Sequence, residues 1–294
     1  MMDETTVVGV ERFDLGEGGR WLEDKLVFVD IYTGRLLMHD PLLGGSIQEL
    51  ARLECTLGCV APVRGQQGMW IVAAGPGLAI LRADGGLTWI ARPEEGRPGA
   101  MRMNDGAAHP SGSFYVGSMA EDFRAGAGRL YCMDRHGRVS IVLDGLTIPN
   151  GPAFDSAGRI AYLADSAERT IWKFDVDQKS GVFRNRRQLC RFKEGEAVPD
   201  GMAVDADGCL WIAMWAGSKI VRLAASGEVE QEIPLPCAQP TSVCLAPETS
   251  RWKGTLWVTS ATRGMDHKGT ADGALLALVT DAYGVPPASV DLAL

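Results

Sequence analysis

Three oxygen-bearing side chains, Asn104, Asn150 and Asp200, recur along the chain, each at the entrance to a similar strand-forming segment. They stand about 46 and 50 residues apart, which is the period of a structural repeat. Their settings read Asn104-Asp105-Gly106, Asn150-Gly151-Pro152 and Pro199-Asp200-Gly201, and Gly16-Glu17-Gly18 occupies the matching place in an earlier unit. In a radial repeat, equivalent inner-strand positions converge on one axis. The ring then offers Glu17, Asn104 (or Asp105), Asn150 and Asp200, while the second and sixth units offer only Gly58 and Pro240-Thr241. Two carboxylates with one or two amide oxygens suit a hard divalent cation. Such an ion polarises a carbonyl oxygen and acidifies water, and an adjacent Asp200 can take a proton from that water. Arg102, two residues before Asn104, alternates to the same side of the strand and can bind hydroxyl or carbonyl oxygens.

Other chemistries find no support. The four histidines (His39, His109, His136, His267) show no metal-binding pair spacing, and there is no Gly-x-Ser-x-Gly elbow. No helical pattern follows Gly16-Glu17-Gly18-Gly19, so it is not a dinucleotide fingerprint. The seven cysteines are scattered and odd in number, which argues against a disulfide framework or a thiolate zinc site. A net charge of -8 and a pI near 5.1 disfavour nucleic acid and anionic membrane surfaces. Most tryptophans sit in strand patterns and read as core, whereas Trp215 follows its strand and is open to pocket lining as well as packing.

These residues need elements to position them. Strand signals are short, apolar and bounded by Gly, Asp and Pro, as in Leu210-Trp211-Ile212-Ala213-Met214, and helical periodicity is scarce. Six units can be laid out, starting near Glu17, Gly58, Asn104, Asn150, Asp200 and Pro240. The expected fold is all-β: a six-bladed propeller of four-stranded blades, forming a single domain over 1–294. The sixth unit runs short of a fourth strand, and Val7 to Phe13 is a strand without a blade. Pairing the two closes the ring and removes an exposed edge. The acidic opening Met1-Met2-Asp3-Glu4 is no signal peptide, and no apolar run is long enough to span a bilayer, so a cytoplasmic location is expected.

At these positions the chain resembles the gluconolactonase family that includes regucalcin. The likeness rests on Gly16-Glu17-Gly18-x-x-Trp21, Arg102-x-Asn104-Asp105-Gly106 with Gly117-Ser118-Met119, Asn150-Gly151, Pro199-Asp200-Gly201-Met202 and Pro240-Thr241-Ser242, and spans nearly the whole chain. The resemblance implies a propeller that opens sugar lactones such as gluconolactone to aldonic acids, using one divalent cation (Ca, Zn, Mn, Mg or Fe(II)). It implies Glu17, Asn150 and Asp200 as metal ligands, with Asp200 also the catalytic base. It implies Arg102, Asn104 and Asp122 as substrate contacts, with neighbouring Glu121 as the alternative register. The implied partner is a small sugar lactone, for a monomer or weak homo-oligomer. A phosphotriesterase of the diisopropyl-fluorophosphatase type and a non-catalytic calcium-binding propeller are the alternatives. Three positions depart from the family's habit: Gly19 replaces a proline, His109-Pro110 replaces an Asp-Pro turn, and Ser118 replaces a threonine.

Overall fold

The computed structural model describes residues 5–293; residues 1–4, the acidic opening of the sequence, and Leu294 lie outside the described residues. Short alternating segments separated by Gly- and Asp-containing turns form four-stranded antiparallel sheets, six of them, arranged in a ring. This is the expected all-β six-bladed propeller. Each of the first five blades follows chain order from an inner to an outer strand, and the outer strands carry the exposed residues. The inner strands are Gly16–Leu22, Leu57–Pro62, Met101–Ala108, Pro149–Phe154, Val198–Val204 and Pro240–Leu245. Among the described residues no helix is long and apolar enough to cross a membrane. All seven cysteines are free thiols.

The sixth blade takes its outer strand from the N-terminal region, through Thr6 opposite Ala277, Val7 opposite Leu276 and Val8 opposite Leu275. The strand is shorter than the Val7 to Phe13 that the sequence suggests. Gly9, at φ +66°, turns the chain out of the sheet and leaves Val10 94% exposed. Phe13 then dives inward. It is fully buried, its ring meets that of Phe28 edge-on at 5.0 Å, and its N–H donates to the Gly273 carbonyl at 2.7 Å.

The core lies between blades. Six apolar clusters each join two neighbouring blades, so burial of apolar surface at every junction holds the ring shut. Residues 280–293 run across one mouth of the channel. Gly284 N–H donates to Ala246 O at 3.0 Å, Val290 N–H to Pro62 O at 2.8 Å and Asp291 N–H to Gly112 O at 2.9 Å. Beneath this strap a cavity of about 130 Å³ is lined by the carboxyl ends of the inner strands.

One recurring distortion matters for function. In every inner strand the pairing register slips by one residue, for example between Glu17 and Arg20, Met103 and Gly106, Asn150 and Ala153, and Pro199 and Met202. The remaining slips fall between Leu57 and Cys59 and between Pro240 and Ser242. A β-bulge of this kind inserts an extra residue and re-aims side chains.

His109, in place of the family's usual aspartate, ties blade three to blade four. Ser111 N–H donates to Nδ1 at 3.1 Å, so Nε2 carries the proton and donates to Gly158 O at 2.7 Å. The ring also meets Phe154 edge-on at 4.7 Å. Burial holds the imidazole pKa below its usual value. The unfolded chain therefore takes up a proton before the folded one does. The stabilisation is complete above about pH 6.5 and is lost as pH falls toward the depressed folded value. His109→Ala is expected to cost about 2–4 kcal/mol of stability at pH 7. Thermal melts of His109→Gln at pH 7 and pH 5 should differ less than those of the parent; equal differences contradict the buried neutral ring.

Candidate active site

The bulges place the chemistry. In a regular strand side chains alternate across the sheet, but the extra residue turns side chains of blades one, three, four and five toward the axis. Glu17, Arg102, Asn104, Asn150 and Asp200 are buried and line one cavity of about 310 Å³ at the amino ends of the inner strands. The second and sixth blades bring no charge. A Cβ at Gly58 would collide with the Asn104 carbonyl oxygen, so glycine there lets two inner strands approach closely. Thr241 spends its hydroxyl on the Gly16 carbonyl, with the Thr259 hydroxyl 2.7 Å away.

A chain of hydrogen bonds fixes the amides. Arg102 Nη1 donates to Asn104 Oδ1 at 2.6 Å, and Asn104 Nδ2 donates to Asn150 Oδ1 at 3.0 Å and to Pro149 O at 2.8 Å. Asn150 Nδ2 donates to Ser166 Oγ at 2.9 Å, and Ser166 Oγ to Pro199 O at 2.6 Å. The Asn150 carbonyl oxygen keeps one lone pair for a further partner. Glu17 receives the Gly18 N–H at 2.9 Å on Oε2, leaving Oε1 free. Gly19 keeps the N–H that a proline would lack and donates it to Ser242 Oγ at 3.2 Å. It therefore ties the Glu17 bulge to the sixth blade.

The electrostatics are unbalanced. Burial pushes the Glu17 carboxyl well above the usual carboxylate range, and the charges of Asp200 and Asp105 push it further. Burial does the same to Asp200, joined by the Asp105 charge and opposed by Arg102. Like charges gathered in a low dielectric with few donors raise the cost of ionisation, and a cation among them removes that cost. Two carboxylates and amide oxygens, with neither imidazole nor thiolate, fit a hard divalent ion. No group of three or more His, Cys, Asp or Glu with metal-holding geometry occurs among the described residues, so any such site uses the amides as well.

The structure separates two residues that sequence alone left open. Asn104 faces the cavity, whereas Asp105 is not among the cavity's lining residues and gives its oxygens to the N–H groups of Gly106 and Gly151, each at 2.8 Å. Asp122 stands apart from the other expected contacts: its side chain is 64% exposed and 3.4 Å from Arg124. The neighbouring Glu121 accepts the Tyr32 hydroxyl at 2.7 Å and sits 3.5 Å from Arg102 Nε. That nitrogen is buried without a hydrogen-bond partner among the described residues.

Tyr32 and Arg263 also line the cavity and had no sequence signal, since they lie on loops outside the repeat. The Arg263 guanidinium lies 3.3 Å over the Tyr32 ring, and its Nη1 is 2.7 Å from Asp14. Trp215 lines the cavity wall, and Phe123, 60% exposed, stands at its mouth.

With this geometry in hand, comparison places the chain among known proteins. Residues 15–262 match the model of the SMP-30/Gluconolactonase/LRE-like region. The chain is 32% identical to regucalcin of Xenopus laevis over 267 residues, covering 87% of this chain and 86% of that one. It is 34% identical to the 6-deoxy-6-sulfogluconolactonase of Pseudomonas putida over 263 residues, covering 88% and 87%. Among solved structures, a calcium-binding protein, regucalcin, from Agrobacterium tumefaciens superposes with a TM-score of 0.90 at 23% identity, covering 99% and 98%.

Ser166 joins Asn150 to the strand that carries Asp200, so removing its hydroxyl strands two polar groups. Ser166→Ala should lose about 1–3 kcal/mol of stability in denaturant titrations. A variant as stable as the parent would show that this link positions nothing.

Proposed function

The chain belongs to the SMP-30/gluconolactonase/LRE-like family, and on that premise we propose that it is a divalent-cation-dependent hydrolase of sugar lactones. The observation that carries this reading is the convergence of Glu17, Asn150 and Asp200 on a cavity that also holds Arg102 and Asn104. The name of the Pseudomonas putida relative, a lactonase acting on a gluconolactone derivative, supports the substrate class. The Arg102 guanidinium among the lining residues favours a cavity meant to receive an oxygen-rich molecule over one that only binds an ion.

Glu17 and Asp200 would hold the ion through carboxylate oxygens and Asn150 through its amide oxygen. When bound, the ion supplies Lewis acidity where negative charge develops on the lactone carbonyl oxygen. The protein's own groups do the remaining work. The Arg102 guanidinium donates to a ring or hydroxyl oxygen, and Asn104, clamped between Arg102 and Asn150, fixes the orientation of that contact. One Asp200 carboxylate oxygen accepts the proton of the attacking water. The walls formed by Met119, Ile148, Val198 and Trp215 keep other water from the reacting carbon.

Two variants test this on chelator-treated protein reloaded with calcium or manganese and given a panel of aldonolactones. Asp200→Ala should lower cation affinity and turnover together; parental values for both would refute its assignment. Arg102→Ala should lose about 1.5–3 kcal/mol in kcat/KM on hydroxylated lactones. Its loss on unsubstituted lactones should be much smaller, and equal losses would remove the proposed contact with the sugar hydroxyls.

A further inference from the structure

Below the proposed ligands lies a partly buried ion pair that the mechanism above does not use. Asp105 follows Asn104 in the blade-three bulge, is 5% exposed, and points away from the cavity. Its Oδ1 accepts the Gly106 N–H and its Oδ2 the Gly151 N–H, both at 2.8 Å. Gly151 directly follows Asn150 and has φ +89°, a conformation that the blade-four bulge requires. Arg20, three residues after Glu17, reaches across from blade one. Its Nη2 is 3.6 Å from Asp105 Oδ1 and donates to Gly106 O, while its Nη1 donates to Gly19 O at 2.8 Å. One pair of side chains thus grips the backbone of three bulges, in blades one, three and four.

We propose that Arg20 and Asp105 are positioning residues for the cation site: together they lock the bulges that aim Glu17, Asn104 and Asn150, and they keep a third carboxylate charge near the ion without using it as a ligand. This rests on the reading that Glu17, Asn150 and Asp200 hold a divalent cation. The physical case has two parts. Bulged backbone leaves N–H groups outside the sheet ladder, and a buried unpaired N–H is expensive, so an acceptor that meets two of them selects one conformation. Both Asp105 oxygens are committed to those donors, which prevents the carboxylate from swinging up to compete for the ion. Arg20 makes this arrangement tenable. Without its guanidinium, three carboxylates would face Arg102 alone, and a buried charge stripped of its partner destabilises strongly. Arg20 is also held twice by backbone carbonyls, a geometry that a planar fork provides and a point-charge ammonium does not.

The test reads calcium binding by titration calorimetry on the chelator-treated full chain, with near-UV circular dichroism to establish folding. Asp105→Asn keeps the shape but loses the charge and one acceptor, and it should weaken calcium binding at least tenfold. Arg20→Met should also weaken it at least tenfold, although deleting a nearby positive charge would on electrostatics alone tighten it. Arg20→Lys should recover only part of the loss. The double variant should bind no more weakly than the poorer single one, because the pair acts as a unit. Should Asp105→Asn fail to fold, the Arg20 variants decide. Parental binding of calcium by the parent chain with unchanged affinity in Arg20→Met and Asp105→Asn overturns the inference alone. Absence of calcium and manganese binding in the parent chain overturns it together with the reading on which it rests.

Discussion

The extra residue in each inner strand is the constraint on which the rest of the site depends. A propeller brings six strands toward one axis, and regular alternation would send half of their side chains along the sheet faces into the inter-blade packing. In four of the blades the bulges turn a polar side chain into the channel instead. That is why Glu17, Asn104, Asn150 and Asp200 meet although they lie far apart in sequence. The distortion exposes backbone donors that the ladder no longer serves, and nearby oxygens take them up: Glu17 from Gly18, and Asp105 from Gly106 and Gly151. Local backbone irregularity and the concentration of carboxylates are therefore two sides of one solution.

That concentration has an energetic consequence. Glu17, Asp105 and Asp200 are all buried, and burial is the main cause that raises each of their pKa values. A fold that keeps acidic groups where they resist ionisation gives up stability at the site that it must recover elsewhere. The six apolar junctions between blades are where it does so. The closing strand Thr6–Val8 adds to this by covering an edge that would otherwise stay open.

Much of this was legible in the chain itself. The period linking Asn104, Asn150 and Asp200, the Asp-Gly and Asn-Gly dipeptides and the strand grammar point to the blades and the axis before any coordinates. What stayed hidden depends on direction and distance rather than pattern. Asn104 and Asp105 are neighbours of similar chemistry, and only the bulge decides that one looks up and the other down. Glu121 and Asp122 pose the same problem, because the chain leaves its strand at Ala120 and alternation no longer applies. Arg20 reads as an ordinary charge until its reach across the channel to Gly106 is seen. The strap over residues 280–293 has no repeat to announce it, since its bonds to Pro62 and Gly112 join positions far apart in sequence. The N-terminal strand ends early because Gly9 adopts a positive φ that apolar alternation does not reveal.

The strap lies at the carboxyl ends of the inner strands and the cavity at their amino ends, and the cavity's walls have two characters. Tyr32, Arg102 and Arg263 bring polar groups to its lining, and Met119, Ile148, Val198 and Trp215 bring carbon. A sugar lactone has the same division, with hydroxyls around its edge and C–H groups across its face. Binding such a ring would engage the Arg102 guanidinium while covering apolar wall, so that both terms favour one orientation. In the proposed orientation the carbonyl end would point toward Glu17, Asn150 and Asp200, and the hydroxylated end toward Phe123 and Arg263. The residues that hold the reacting group are thus fixed by the bulges of the inner strands. Arg102 and Asn104 share that strand framework, whereas Tyr32, Phe123 and Arg263 sit on loops, free to differ without disturbing the ring.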